Sequence, residues 1–257
     1  VVTGISQGTV TITIKSSSGL VKTTAKVTVV QSPTGITLDK DKVSLDMSGT
    51  KTIKLNATIQ PKNANRNTGI TWKSSNTGVA TVDQSGNVTA KSNGTTTITA
   101  TTQNGKSASC TINVSTSPNK ITLNKTSETI DLNGTKTVQL QVSKIEPATA
   151  NVNTGITWES GNTGIATVDQ NGLVTAKKIG NVTITAKTQN GVKATCSVTV
   201  AQSPTGITLD RNKVVLDMSG TKTTKLNATI SPSSANRNTG ITWKSSNTGV
   251  ATVDHSG

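Results

Sequence analysis

The stretch ITWKSSNTGVATVDQSG, residues 70–86, returns almost letter for letter as ITWKSSNTGVATVDHSG at residues 241–257. Its tryptophan occurs three times in the chain, at intervals of 86 and 85 residues: Trp72, Trp158 and Trp243. A regular spacing of this length predicts tandem copies of one structural unit.

The spacing divides the chain into four parts. Residues 1–30 match the C-terminal part of a repeat, because GTVTITIKSSSG at 8–19 parallels GTTTITATTQNG at 94–105. We therefore predict, in chain order, the C-terminal part of a repeat at 1–30, complete repeats at 31–116 and 117–202, and the N-terminal part of a repeat at 203–257.

Apolar and polar residues alternate with a period of two through each repeat. In TIKLNATI, residues 52–59, Ile53 and Leu55 alternate with Lys54 and Asn56. This pattern predicts antiparallel strands with one face on a core and the other in water. Asn-Gly pairs and Asp-x-x-Gly turns separate about seven such strands per repeat, and we expect the tryptophan to be buried on a middle strand. The predicted fold class is all-β: tandem immunoglobulin-like β-sandwich domains in an extended array.

One repeat is a residue longer within a strand. The text TIKLNATIQP at 52–61 corresponds to TVQLQVSKIEP at 137–147. An extra residue inside a strand predicts a β-bulge, here around Ser143 and Lys144.

The composition favours several small cores over a single large one. Only 31% of the residues are hydrophobic, and the aromatic residues are three Trp with no Phe or Tyr. No segment approaches the ~18 apolar residues of a membrane span. The formal net charge is +14, but the lysines are scattered singly and few aromatics are available to stack bases. Nucleic acid is therefore not the expected partner, whereas anionic cell-envelope polymers or glycans are compatible with the charge.

The succession ITWKSSNTGVATVDQSGNVTA, followed by ITA and ASCTINV within residues 70–114, resembles the bacterial immunoglobulin-like domain, group 2. The resemblance covers the whole chain. The family commonly carries a Pro-containing turn where this chain has NTG, which changes one loop. The resemblance implies a β-sandwich of bacterial and phage surface proteins, found in stalks, adhesin modules and cell-envelope components. It implies no shared catalytic site.

The cysteines and the histidine occupy positions that predict no chemistry. Cys110 and Cys196 hold equivalent places in the last strands of successive repeats, and Ala25 holds that place in the first part. A position that accepts Cys or Ala is predicted to be a small core position, and a disulfide between the two repeats is not expected. His255 replaces a glutamine in a turn and has no neighbouring metal ligands in the sequence.

The acidic residues also predict structural roles. Asp83, Asp169 and Asp254 lie in Asp-x-x-Gly turns, where the carboxylate caps backbone N–H groups; interdomain calcium is the alternative that this pattern leaves open. All three Glu fall in one repeat: Glu128, Glu146 and Glu159. Glu chemistry is therefore not a property of the array, which also counts against a repeated Glu-assisted Lys–Asn crosslink; Asp in place of Glu is the alternative that stays open. We assign no catalytic, cofactor-binding or metal-binding residue, expect no cofactor, and expect that the chain is not an enzyme.

The connections between repeats are short. Six residues separate Val114 from Ile121 and Val200 from Ile207, and each connection contains a proline. Short Pro-containing linkers restrict the motion of neighbouring domains, which predicts a semi-rigid rod.

These features favour a structural role on a bacterial cell surface or a virion: a spacer, a stalk or a filament-forming segment. The alternative is an adhesin or a glycan- or cell-wall-binding module that uses interstrand loops such as KNANRNTG at 62–69. Arg66 and Arg237 recur in that loop, but Val152 replaces them in the repeat at 117–202.

The expected partners are neighbouring copies of the same repeat. Residue 1 placed after residue 257 continues the repeat in register, because Gly257 matches Gly86 and Val1 matches Asn87. Two interpretations are open: a window of a longer array, or head-to-tail assembly in which residues 1–30 of one chain complete residues 203–257 of the next.

Overall fold

A computed structural model describes all residues from Val1 to Gly257 as an all-β chain of twenty-two strands, β1 to β22. It contains no helix that is long and apolar enough to cross a membrane. The chain divides into two compact units. Unit 1 comprises Val1–Ser117 and Pro147–Val152, and unit 2 comprises Pro118–Glu146 and Asn153–Gly257.

In unit 1 the repeat at 31–116 forms nine strands, β3 to β11. Their bounds are Gly35–Leu38, Lys42–Asp46, Thr52–Lys54, Ala57–Gln60, Ile70–Ser74, Ala80–Val82, Asn87–Ala90, Gly94–Thr102 and Ser107–Ser115. They form a four-stranded sheet in the order β4-β11-β10-β7, a three-stranded sheet β5-β9-β8 and the pair β3-β6. The predicted all-β sandwich class is confirmed, although the strands number nine and not seven.

The extra strands arise because the stretch at 52–59 changes partner in the middle. Residues before the break pair with β9, and residues after it pair with β3. At the break the Leu55 N–H donates to the Gly86 carbonyl at 3.0 Å, and the Asn56 N–H donates to the Asp39 carboxylate at 2.8 Å. Both backbone donors are satisfied outside a ladder, so the strand can stop and restart at little cost.

The prediction that all strands are antiparallel is wrong for one pair per repeat. β4 runs parallel to β11, with Thr111 opposite Lys42 and Ser115 opposite Asp46. β3 and β4 do not pair with each other: β3 pairs with β6, whereas β4 joins the four-stranded sheet, so the chain changes sheets between them. The alternation of apolar residues is unaffected, because a parallel strand presents its faces with the same period.

In unit 2 the strands β12 to β20 repeat this topology. Their bounds are Lys120–Leu123, Ser127–Asp131, Thr137–Gln139, Val142–Glu146, Ile156–Ser160, Ala166–Val168, Leu173–Ala176, Gly180–Thr188 and Lys193–Ala201. The predicted β-bulge is confirmed: Thr122 pairs with Lys144 and Leu123 pairs with Val142, which leaves Ser143 as the extra residue.

Each complete repeat encloses its own core of Val, Ile, Leu, Ala and Cys side chains. Ile98 and Cys110 face each other across β10 and β11 and are fully buried. The prediction of a tryptophan buried on a middle strand is wrong: Trp72 is only half-buried at the margin of the core, and its strand β7 is an edge strand of the four-stranded sheet. Its indole packs against Gly86.

The terminal parts of the chain carry fewer strands and expose apolar faces. β1 (Gly8–Lys15) pairs with β2 (Lys22–Val29) in unit 1, and β21 (Gly206–Leu209) pairs with β22 (Ala228–Ser231) in unit 2. Leu216 is 42% exposed, whereas its counterpart Leu45 is 1% exposed. The apolar positions of residues 203–257 are therefore those that a complete repeat buries.

Candidate functional site

The most elaborate polar arrangement of the chain lies at the linkers between repeats. Each linker contains a residue followed by Ser-Pro: Gln31-Ser32-Pro33, Thr116-Ser117-Pro118 and Gln202-Ser203-Pro204. In the second of these all three residues are buried. Buried backbone groups require partners, and the neighbouring repeats supply them.

An asparagine from the following repeat clamps the first linker residue. The Gln31 N–H donates to Asn65 Oδ1 at 2.9 Å, and the Asn65 N–H donates back to the Gln31 carbonyl at 2.9 Å. The same reciprocal pair recurs within unit 1 and within unit 2, as Thr116 with Asn151 and Gln202 with Asn236. The loop reaches the linker through a left-handed turn at Asn67, where φ is 57°. Asparagine tolerates that conformation better than most residues.

An aspartate from the preceding repeat holds the serine of the linker. In unit 2, Asp131 Oδ1 accepts the Ser203 N–H at 3.0 Å, and Ser203 Oγ donates to Asp131 Oδ2. In unit 1, Asp46 Oδ1 accepts the Ser117 N–H at 3.1 Å. The hydrogen bonds from Ser203 hold the pKa of the Asp131 carboxyl below its usual range. Burial acts to raise the pKa of Asp46, but the hydrogen bonds from Ser117 and Ser48 outweigh it and the pKa is lowered.

A hairpin tip of the following repeat binds the proline carbonyl. Asn104 Nδ2 donates to the Pro33 carbonyl at 2.8 Å in unit 1, and Asn190 Nδ2 donates to the Pro118 carbonyl at 2.7 Å in unit 2. These asparagines belong to the predicted Asn-Gly turns, whose glycines adopt positive φ angles of 83° at Gly105 and 91° at Gly191. The turn therefore serves the linker as well as the hairpin.

The cysteine positions are confirmed as core positions. Cys110 and Cys196 are free and fully buried, and burial raises the pKa of each thiol. Ile12 pairs with Ala25 as Ile98 pairs with Cys110, which confirms the equivalence of these positions. His255 lies exposed in a turn, as predicted.

The turn-capping role of the aspartates is also confirmed. Asp83 Oδ1 accepts the N–H groups of Ser85 and Asn87 at 2.8 and 2.9 Å. Asp169 and Asp254 cap the N–H groups of Asn171 and Ser256, both at 2.8 Å. No group of three or more His, Cys, Asp or Glu side chains is arranged to hold a metal ion.

The glutamates do not form one site. Glu128 pairs with Lys125 at 2.6 Å, and Glu146 pairs with Lys120 at 3.5 Å and with Lys144. Glu159 is exposed on β16. These surface ion pairs contribute little to stability.

The loop proposed for ligand contacts lies against the linker. Arg66 and Arg237 have exposed side chains, and their backbone N–H groups donate to the Gln31 and Gln202 carbonyls, each at 3.2 Å. The residue that matters for this geometry is the preceding asparagine, Asn65, which sequence reasoning missed. Its recurrence in all three loops, as Asn151 and Asn236, is the signal that identifies it.

Comparison with known families agrees with this architecture. The model of the bacterial Ig-like domain (group 2) matches residues 33–112 and again residues 113–199. The chain belongs to this family. The two matches are tandem immunoglobulin-like domains.

Two curated relatives share part of their length with the chain. An uncharacterized protein of Clostridium acetobutylicum is 37% identical over 171 residues, which is 65% of this chain and 17% of that protein. A lacto-N-biosidase of Bifidobacterium bifidum is 41% identical over 96 residues, covering 36% of this chain and 8% of that enzyme. The chain thus spans less than a fifth of either relative.

Among solved structures, domains 1–6 of the surface layer protein SbsC match with a TM-score of 0.30 and 17% identity. The match covers 83% of this chain and 38% of that one.

Proposed function

We propose that the chain is a structural spacer, a stalk or filament-forming segment of a bacterial or phage surface protein, located outside the cell or on the virion. The observation that supports this role is the hydrogen bonding of the two linkers that follow complete repeats, whose backbone groups are bound by residues on both sides. A linker bonded in this way limits how far neighbouring repeats swing, which is what a spacer requires. On this proposal the chain has no enzymatic role of its own.

Small-angle scattering of the chain tests the spacer role. A single compact domain of 257 residues has a radius of gyration of about 18 Å. We expect a clearly larger value, with a scattering profile that does not change when the protein is diluted. A radius close to that of the compact domain would contradict the proposal.

The proposed partner of residues 203–257 is another copy of the same repeat, in the same chain or a neighbouring one. Val250 is 83% exposed, whereas its counterpart Val79 is 8% exposed in the complete repeat. A Cβ atom on Gly94, at the start of β10, would lie 2.9 Å from Val79 Cγ2, so strands of the β10–β11 kind lie over this position where the repeat is complete. An apolar face of this kind is suited to strands with the same pattern.

Binding to anionic cell-envelope polymers or acidic glycans is the second candidate, and the charge supports it. The chain carries 26 Lys and Arg against 12 Asp and Glu. We expect retention on an immobilised polyphosphate that weakens steadily as salt is added. The double variant Arg66→Gln with Arg237→Gln distinguishes binding through the diffuse positive charge from specific binding by the loops. A modest loss of retention indicates the diffuse field, whereas complete loss indicates specific loop binding. Failure to bind at low salt would exclude this candidate.

A further inference from the structure

The linker at Gln202–Pro204 is held from both sides within unit 2, by Asp131 and by Asn236. We propose that each linker that follows a complete repeat is closed by a two-sided latch. One side is an Asp-x-Ser or Asp-x-Asn motif of the preceding repeat, and the other is the loop asparagine of the following repeat. This inference rests on the proposed spacer function and identifies the residues that would fix the orientation of successive repeats.

The first side of the latch binds both backbone groups of the linker serine. Ser203 donates its N–H to Asp131, and its carbonyl accepts a hydrogen bond from Asn133 Nδ2 at 2.6 Å. Asp131 also accepts the Asn133 N–H at 2.9 Å, so the motif is a turn with a hydrogen bond of its own besides those to the linker. Asp131 is only 6% exposed, and competition from water is correspondingly weak.

The second side of the latch binds both backbone groups of the residue before that serine. Asn236 Oδ1 accepts the Gln202 N–H at 2.8 Å, and the Asn236 N–H donates to the Gln202 carbonyl at 2.9 Å. Four backbone groups on two consecutive residues are therefore bound, two by each side. Rotation at this point requires that one side of the latch break.

The same arrangement with a different side chain recurs in unit 1. Asp46 accepts the Ser117 N–H, and Ser48 Oγ takes the role of Asn133 by donating to the Ser117 carbonyl at 2.6 Å. The motif is also present in residues 203–257, where Asp217 accepts the Ser219 N–H at 2.8 Å. The hydrogen bond to the linker carbonyl recurs although the donor changes from Asn to Ser. We therefore count this hydrogen bond as part of the latch.

The latch is distinct from the other aspartate turns of the chain. Asp169 makes an equivalent turn, accepting the N–H groups of Asn171 and Leu173 at 2.8 Å each, but no linker residue contacts it. Asp169→Ala is therefore a matched control for Asp131→Ala. Both changes remove a turn-capping carboxylate, and only one removes a latch.

Amide hydrogen exchange of the 257-residue chain, resolved by NMR, tests the latch. We expect the Ser203 amide to be protected in the natural sequence. Asp131→Ala should accelerate its exchange at least tenfold while the Val198 amide in β20 changes less than twofold. Asp169→Ala should leave Ser203 unchanged. An unprotected Ser203 amide in the natural sequence, or equal acceleration by the two variants, would overturn the proposal.

Asn236→Ala gives a second test that does not touch the core of the repeat at 117–202. If Asp131→Ala also accelerates exchange at Val198, the result for Asn236→Ala is the one that tests the latch. Faster exchange at Gln202 with Val198 unchanged supports the latch, and an unchanged Gln202 overturns it. Small-angle scattering tests the proposed spacer function separately. A protected Ser203 amide together with a compact radius of gyration would support the latch and contradict the spacer function.

Discussion

Replacing Gly86 by alanine should destabilise the repeat at 31–116 much more than the same replacement of Gly105. Both glycines have φ near 83°. A Cβ atom on Gly86 would lie 2.6 Å from the Leu55 carbonyl oxygen and 2.8 Å from Trp72 Cζ2, whereas Gly105 has nothing within 4 Å. The positive φ angle costs about 1–2 kcal/mol at either site. The crowding adds about 1–3 kcal/mol at Gly86 alone, because one of the two close atoms is a backbone carbonyl oxygen, which yields less readily than the end of a flexible side chain.

The two buried cysteines allow each repeat to be measured separately. Cys110 reports on the repeat at 31–116 and Cys196 on the repeat at 117–202, because each thiol becomes reactive only when its repeat opens. Labelling at Cys110, quantified by mass spectrometry, should accelerate about a hundredfold in Gly86→Ala and about tenfold in Gly105→Ala, since 1.4 kcal/mol is about tenfold. Cys196 should not change. Equal acceleration in the two variants would show that the Gly86–Trp72 contact does not exist in solution.

The faces of the strands could be predicted from the sequence because the period of two survives every change of partner. Leu55 points inward although its strand ends at Lys54 and restarts at Ala57. For the same reason the break itself could not be predicted. It is produced by Asp39 and Gly86, which are distant in sequence and bind the backbone of Asn56 and Leu55.

The direction of a strand also could not be predicted from the alternation of apolar and polar residues. Val43 and Leu45 alternate with polar residues in the same way whether β4 runs parallel or antiparallel to β11. By contrast, the bulge at Ser143 could be predicted because it rests on a difference in length between repeats, which a sequence records directly.

The linker site was only partly accessible to sequence reasoning. The short Pro-containing linkers could be recognised in the sequence. The residues that bind them could not, because the same residue types are common elsewhere in the chain. Asn65 lies in a chain rich in asparagine, and Asp131 looks like any other turn aspartate. Each forms its critical bond to a residue more than thirty positions away, Gln31 and Ser203 respectively, so no local pattern records the contact.

Leu45→Ala should cost about 2–5 kcal/mol, because a leucine that is 1% exposed leaves a cavity when truncated. Its matched control is Leu216→Ala, the equivalent position in residues 203–257, where the side chain is 42% exposed. That change should cost less than about 1 kcal/mol, since the surface lost is already in contact with water.

Amide exchange in the equivalent strands β6 and β22 measures the two effects in the same way. We expect protection in β6 to fall by a factor of about a hundred in Leu45→Ala, and protection in β22 to change less than threefold in Leu216→Ala at low protein concentration. A large effect of Leu216→Ala that increases with concentration would mean that a second copy covers this face, as the proposed partner requires. A large effect that is independent of concentration would contradict the open apolar face, because the residue would then be buried by its own chain.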